Sequence, residues 1–319
     1  MTSDRLFRLI IRLYPAAYRT AHEAETVSTA RESLASQGRV GATRELADLT
    51  VHALRERTRL TATSAVGAVA AVAAPLAAGS AVALSLVFTA FAEWTKRRAG
   101  NSQPAHGFGP FATLGAIPYL IWILVFLAAV FGRGAAARRL TGIAMAASVA
   151  LVPLAHLTHM DRPRLYVLGS LVLFGMIVLA APIDPLGRSP LDRRALTVCT
   201  LVMTGILSGI SLEYGPLWYW GNDTIDAIGA LMPGALGFLL LVSVLCMRLN
   251  RRLPFAVIVV MFPWGVFCYG TPGRPSLFFG GVVCAAALAG FVLLLPKIDV
   301  DHRRDRPTQS GPVPPTDAG

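Results

Sequence analysis

Residues 65–91 read AVGAVAAVAAPLAAGSAVALSLVFTAF, twenty-seven positions without one charged side chain. A helix needs about 20 mainly apolar residues to cross a bilayer, and Ala65–Phe91 exceeds that. The pattern then recurs seven times, at Ala112–Phe131, Leu140–Leu157, Leu165–Ile183, Ala195–Leu212, Ile225–Met247, Leu253–Tyr269 and Leu277–Pro296. The gaps between these runs are short and rich in turn residues, so no loop is long enough to fold as an external domain. The expected fold class is all-α: an integral membrane bundle of about eight transmembrane helices at 62–296. A small N-terminal cytoplasmic three-helix domain at 1–61 precedes it, and a disordered cytoplasmic tail at 297–319 follows.

Composition agrees. Of the 319 residues 54% are hydrophobic and 15% charged, where a soluble domain carries about 25% charged residues. A mean hydropathy of +0.57 excludes an ordinary soluble enzyme, and disorder as well, since disorder needs low hydrophobicity. The net charge is +11. In a membrane chain such an excess reads as positive-inside loops and contact with anionic lipid, not as direct nucleic-acid binding. Cys199, Cys246, Cys268 and Cys284 all lie in apolar runs without a C-x-x-C pair. They read as small buried hydrophobes, with no disulfide framework and no zinc site.

The basic residues orient the spans. With the N-terminus inside, 23 of the 29 Lys and Arg residues fall on the cytoplasmic side, among them Arg133, Arg138, Arg139, Arg188, Arg193, Arg194, Arg248, Arg251 and Arg252. Cytoplasmic segments are enriched in these residues, so both termini are expected to be cytoplasmic. Half of the outside total comes from Lys96, Arg97 and Arg98, a local violation. Tyr214, Trp218, Tyr219 and Trp220 read as an interfacial aromatic belt. No apolar core occupies the first thirty residues, so no cleaved signal is expected.

Before the first span, Leu6, Phe7, Ile10, Ile11, Leu13 and Tyr14 recur at helical spacing. Tyr14-Pro15 ends that helix, because the residue before proline is pushed out of the α region. A second helix is expected over 16–36. Gly38 and Gly41 then break the chain, and Thr43 serves as N-cap of a third helix carrying Leu46, Leu49, Ala53 and Leu54. By itself this segment reads as an amphipathic cap on the inner leaflet.

The stretch Leu13-Tyr14-Pro15-Ala16-Ala17-Tyr18-Arg19, followed by Glu25, resembles the Leu-Tyr-Pro, aromatic-Arg, Glu pattern that opens actinobacterial HAAS-type, or permease-prefix, α-helical domains. It departs from that pattern at His22-Glu23, where a Tyr-Gly pair is common. The resemblance covers the first sixty residues. It implies a signalling role, with Tyr14, Pro15, Tyr18, Arg19 and Glu25 as partner-binding residues and a PadR-like transcription regulator as the partner. It brings no catalytic residues.

No Asp, Glu, Lys or Arg stands in the middle of any span, which argues against ion-coupled transport through a buried carboxylate. Pro75, Pro118, Pro153, Pro233 and Pro263 interrupt spans; such breaks line cavities in transporters, but neighbouring helices also tolerate them. Gly205 and Gly209 form a G-x-x-x-G, expected to pack within the bundle, with a homo-oligomer face as the other use. One polar constellation emerges from the topology. Glu93, His156, His159, Asp161, Glu213, Asp223 and Asp226 all fall at outer helix ends or in outer loops. His156 and His159 are three apart and are expected to share a helix face, while Asp223 reads as an N-cap. Without an H-E-x-x-H or similar motif, no metal site is expected, and no cofactor. With no Walker, G-x-S-x-G, kinase or G-x-G-x-x-G motif, the reading is a non-enzymatic membrane signalling protein; the alternative is a transporter or permease component.

Overall fold

A computed structural model of the chain describes residues 9–16, 18–20, 28, 39–58, 60, 61, 64–93, 110–182, 186, 189–213, 222–248 and 250–270. Among these the structure is all-helical, without strands. The eighth run at 277–296, the tail, the aromatic belt, Lys96 to Arg98, Glu25 and most of the second helix lie outside the described residues. The elements are α1 (Arg39–Arg57), α2 (Ala65–Val87) continuing into a π-helical turn (Phe88–Glu93), α3 (Ala116–Val130), α4 (Gly134–Thr158), α5 (Leu165–Ala180), α6 (Pro190–Glu213), α7 (Asn222–Leu245) and α8 (Leu253–Gly270). Four segments, Ala65–Glu93, Gly134–Thr158, Pro190–Leu212 and Leu231–Arg248, are long and apolar enough to cross a membrane. Three shorter apolar helices, Ala116–Val130, Leu165–Ala180 and Leu253–Tyr269, accompany them.

The centre of the bundle is α2. It is flanked by α3, α5, α6 and α8, and it can take so many neighbours because its sides are small. Ala73, Ala77, Ala78 and Ala81 are completely buried. A Cβ at Gly79 would stand 2.9 Å from Cys199 Cβ and 3.0 Å from the Leu196 carbonyl oxygen of α6, so glycine permits that approach. Ser64 starts the helix by accepting the Gly67 N–H at 2.9 Å. Beyond the alanines an aromatic chain fills the interior. Tyr119 meets Phe88, Phe88 meets Phe267, and Phe267 meets Trp264, with ring centroids 5.8–6.3 Å apart. The outward sides are apolar as well: Leu124, Phe131, Val149, Leu157, Leu201, Phe238 and Leu245 are all exposed. A helical bundle apolar on both sides fits lipid surroundings.

Local chemistry turns the chain at each end. After α3, Gly132 takes a φ of 75°. Its N–H donates to the Ala129 carbonyl and that of Arg133 to the Ala128 carbonyl, which is a Schellman closure. Arg138 Nη2 donates to the Leu179 and Ala181 carbonyls at 2.8 and 3.0 Å, capping the C-terminal end of α5 with a cation.

Several expectations are corrected. Helix α1 begins at Arg39, so Gly41 and Thr43 lie inside it and Thr43 is not the N-cap. A helical glycine costs only about 1 kcal/mol, and packing of the Leu46, Leu49 and Ala53 side outweighs it. Helix α7 begins at Asn222, which puts Asp223 within the first turn, not at the cap. Gly205 and Gly209 are exposed, and an added Cβ at either would touch nothing within 4 Å. Gly79, by contrast, is close-packed. Helices α2, α4, α7 and α8 run through Pro75, Pro153, Pro233 and Pro263 without a break, and Pro118 sits in the first turn of α3, where a missing N–H leaves nothing unsatisfied.

Candidate functional site

At the C-terminal end of α2 the helix widens into the π turn that closes on Glu93. Such turns often mark functional positions. Glu93 is 2% exposed. One carboxylate oxygen accepts the Thr113 N–H at 2.7 Å and the other the Thr113 hydroxyl at 2.5 Å. The Thr113 Oγ1 in turn accepts the Gly115 N–H at 2.9 Å. The Ala112 N–H donates to the Glu93 carbonyl and the Leu114 N–H to the Asp161 carbonyl. Every backbone donor from Ala112 to Gly115 thus has a partner, which buried non-helical backbone requires. An anion at a helix C-terminus opposes the macrodipole; here the Thr113 donors compensate it. Gly115 is confined by Pro163, Tyr119 and Glu93, all within 3.0 Å of where a Cβ would be.

His156, His159 and Asp161 do not join Glu93 as side chains. All three are exposed. His159 takes a left-handed φ of 54° as the C-cap of α4, so it has left the helix and does not share a face with His156. Asp161 reaches the site through its carbonyl oxygen. Glu213 ends α6; its side chain, and those of Asp223 and Asp226, lie outside the described residues. Among the described residues no three His, Cys, Asp or Glu groups are placed to hold a metal ion.

In the N-terminal segment, residues 9–13 are helical, Tyr14 is a bend, and helix resumes at Ala16. The proline carbonyl accepts the Arg19 N–H at 3.0 Å, so Pro15 both stops one helix and starts the next. Tyr14 is buried with Ile11 and Ala53, and Leu13, Tyr18, Leu46 and Leu49 pack around them. The Tyr14 ring stacks on Tyr18 at 4.7 Å. Its hydroxyl lies 3.1 Å from His52 Nδ1 and donates to the Leu49 carbonyl at 3.4 Å. Burial, with Tyr18 and Glu56 adding to it, pushes the Tyr14 phenol up to about 12. Tyr14 is a folding residue, whereas Tyr18 and Arg19 are half-buried. Arg19 Nε is buried without a hydrogen-bond partner among the described residues. His52, three residues from a pure leucine-alanine stripe, carried no sequence signal.

Comparisons of the chain with family models, with curated proteins and with solved structures find no match. The chemistry of the two ends therefore stands on its own geometry. The Glu93 end of α2 offers a satisfied carboxylate that braces a loop. The N-terminal unit offers an aromatic cluster with an arginine at its edge, an arrangement suited to protein recognition.

Proposed function

We propose that the chain is a non-enzymatic, eight-span membrane protein of signalling or regulatory type, with both termini cytoplasmic. In this reading its N-terminal helical unit docks a cytoplasmic protein, and a PadR-like regulator is the class implied by the resemblance at Tyr14 to Glu25. The observation that carries it is the second hydrophobic core. Ile11, Tyr14 and Ala53 form a cluster of their own, separate from the cluster built around α2. A segment serving only as an amphipathic cap would spend its apolar side on lipid; this one packs Ile11, Tyr14 and Ala53 internally and leaves Leu9, Val51 and Leu54 exposed. That leaves Tyr18 and Arg19 at the margin, and aromatic and arginine side chains are enriched at interfaces.

The test is capture of a cytoplasmic partner by the full chain in detergent, before and after Tyr18→Ala with Arg19→Ala. Loss of a partner at unchanged helicity supports the reading. Undiminished capture, or none from the parent chain, returns the segment to a membrane-surface cap.

A further inference from the structure

Helices α2, α6, α7 and α8 do not close on one another completely. Between them lies a cleft of about 240 Å³. Ala195 of α6, Ser243 of α7 and Leu253 of α8 line one end of it, and Met203 and Trp264 line the other. From Leu253 to Trp264 is eleven residues, a height of about 16 Å at 1.5 Å per residue. The hydrocarbon of one leaflet is about 15 Å deep, half of the ~30 Å core. The cleft thus spans a single leaflet.

Its walls are apolar in practice. Ser80 Oγ is 3.8 Å from Cys199 Sγ, the thiol donates to the Leu76 carbonyl, and Ser243 Oγ donates to Leu240. These serine and cysteine atoms are already engaged, which leaves the Trp264 indole N–H as the wall donor without a partner among the described residues, so the walls suit a hydrocarbon chain better than a polar solute. The mouth is different. Arg194 and Arg193 lie one and two residues before Ala195, Arg252 and Arg251 one and two before Leu253, and Arg248 follows α7. Asp192 is the one acid in these three stretches, so the rim is strongly basic. Arg193 Nε is buried without a partner among the described residues. The N-terminal ends of α6 and α8 both lie at this end of the cleft, and helix N-termini favour anions.

We infer that the cleft holds one anionic phospholipid of the cytoplasmic leaflet, an acyl chain between the four helices and the phosphate among the arginines of the rim. The inference rests on the multi-pass reading above, and on these helix ends being cytoplasmic, the side where anionic lipids concentrate. Neutral lipid fits the walls but not the rim, and free phosphate fits the rim but not the walls.

The experiment is native mass spectrometry of the detergent-purified full chain with phosphatidylglycerol or phosphatidylcholine of the same acyl chains. Phosphatidylglycerol should be retained about tenfold better or more, given the attraction of each basic residue for an anionic surface. Arg193→Gln with Arg252→Gln, within two residues of the lining Ala195 and Leu253, should remove most of that preference and leave phosphatidylcholine retention unchanged. Val257→Trp, which fills the cleft, should lower retention of both. Phosphatidylglycerol bearing a diazirine chain should label α6 and α8 within the cleft. Equal retention of the two lipids, a preference that survives the double arginine change, or labelling confined to other faces would overturn the inference. A reporter fused after Arg194 that reads outside overturns the orientation alone; selective retention would then still support the cleft.

Discussion

Glu93 shows how one side chain can change meaning between sequence and structure. In the sequence it is an acid at the outer end of a span, grouped with histidines and aspartates that a metal or proton could use. In the fold its two oxygens close a loop by taking both donors of Thr113. Glu93→Gln keeps the size but leaves one Thr113 donor facing an amide N–H. The expected result is a loss of about 1–3 kcal/mol, seen as a lower unfolding temperature in detergent, and Thr113→Val should overlap with it instead of adding. A full-strength variant at both positions would dismiss the brace. Tyr14 supports a second prediction. Its phenol is pushed up to about 12, against about 10 in an unfolded chain. Between those values the unfolded chain has lost the proton and the folded one keeps it, so stability of the N-terminal unit is complete below pH 10 and falls as pH rises through 12. Carbon-13 labelling of the tyrosine Cζ atoms should give one resonance titrating near 12 that disappears in Tyr14→Phe. A Tyr14 midpoint near 10 would mean that the ring is not packed as described.

At the scale of elements, periodicity and length were legible and the termini less so. The seven apolar runs before residue 271 each contain a helix, and the Tyr14-Pro15 break is where the backbone bends. Boundaries drifted where a local propensity met packing, as at Gly41 and Thr43. The stretch Ala112 to Gly115 is apolar enough to have been counted as span, yet it is not helical, because its hydrogen bonds run to Glu93 and Asp161. Those partners are 20 and 47 residues away, which no window along the chain can sense. The G-x-x-x-G of α6 was equally misleading: small residues permit close approach, but only the fold decides which side is approached. Two capping devices can be checked directly. Gly132→Ala forces a Cβ into the left-handed region at a cost of about 1–2 kcal/mol. Arg138→Met removes the cation from the carbonyls ending α5, at about 1.5–3 kcal/mol for a charged hydrogen bond, less what solvent screens at this half-exposed site. Circular dichroism melts in detergent would register both, and a midpoint equal to the parent's for either would show that its cap does not hold the turn.

For the molecule as a whole, the orientation follows from the basic residues and not from any contact. Reporter fusions after Arg139, Arg194 and Arg252 are expected to read inside, and fusions after Asp161 and Gly221 outside. An outside signal from Arg194 would sink the eight-span arrangement. Of the candidate sites, the sequence supplied the residues but not the grouping. Tyr14 and Tyr18 were visible as a motif, and their stacking against His52 needed two helices brought together across more than thirty residues.

The alanine-sided α2 has a consequence for biosynthesis. It is the first apolar helix to leave the ribosome, yet α6, its most extensive neighbour, starts 125 residues later. At about 5–20 residues per second, α2 waits roughly 6–25 s before that partner exists. Through this interval α3 and α5 can reach it, but the side reserved for α6 has no occupant and stands open to any passing helix with a matching small-residue groove. The order of translation therefore leaves the axis of the bundle exposed to mispairing on its α6 side until that helix arrives, and on its α8 side for longer still.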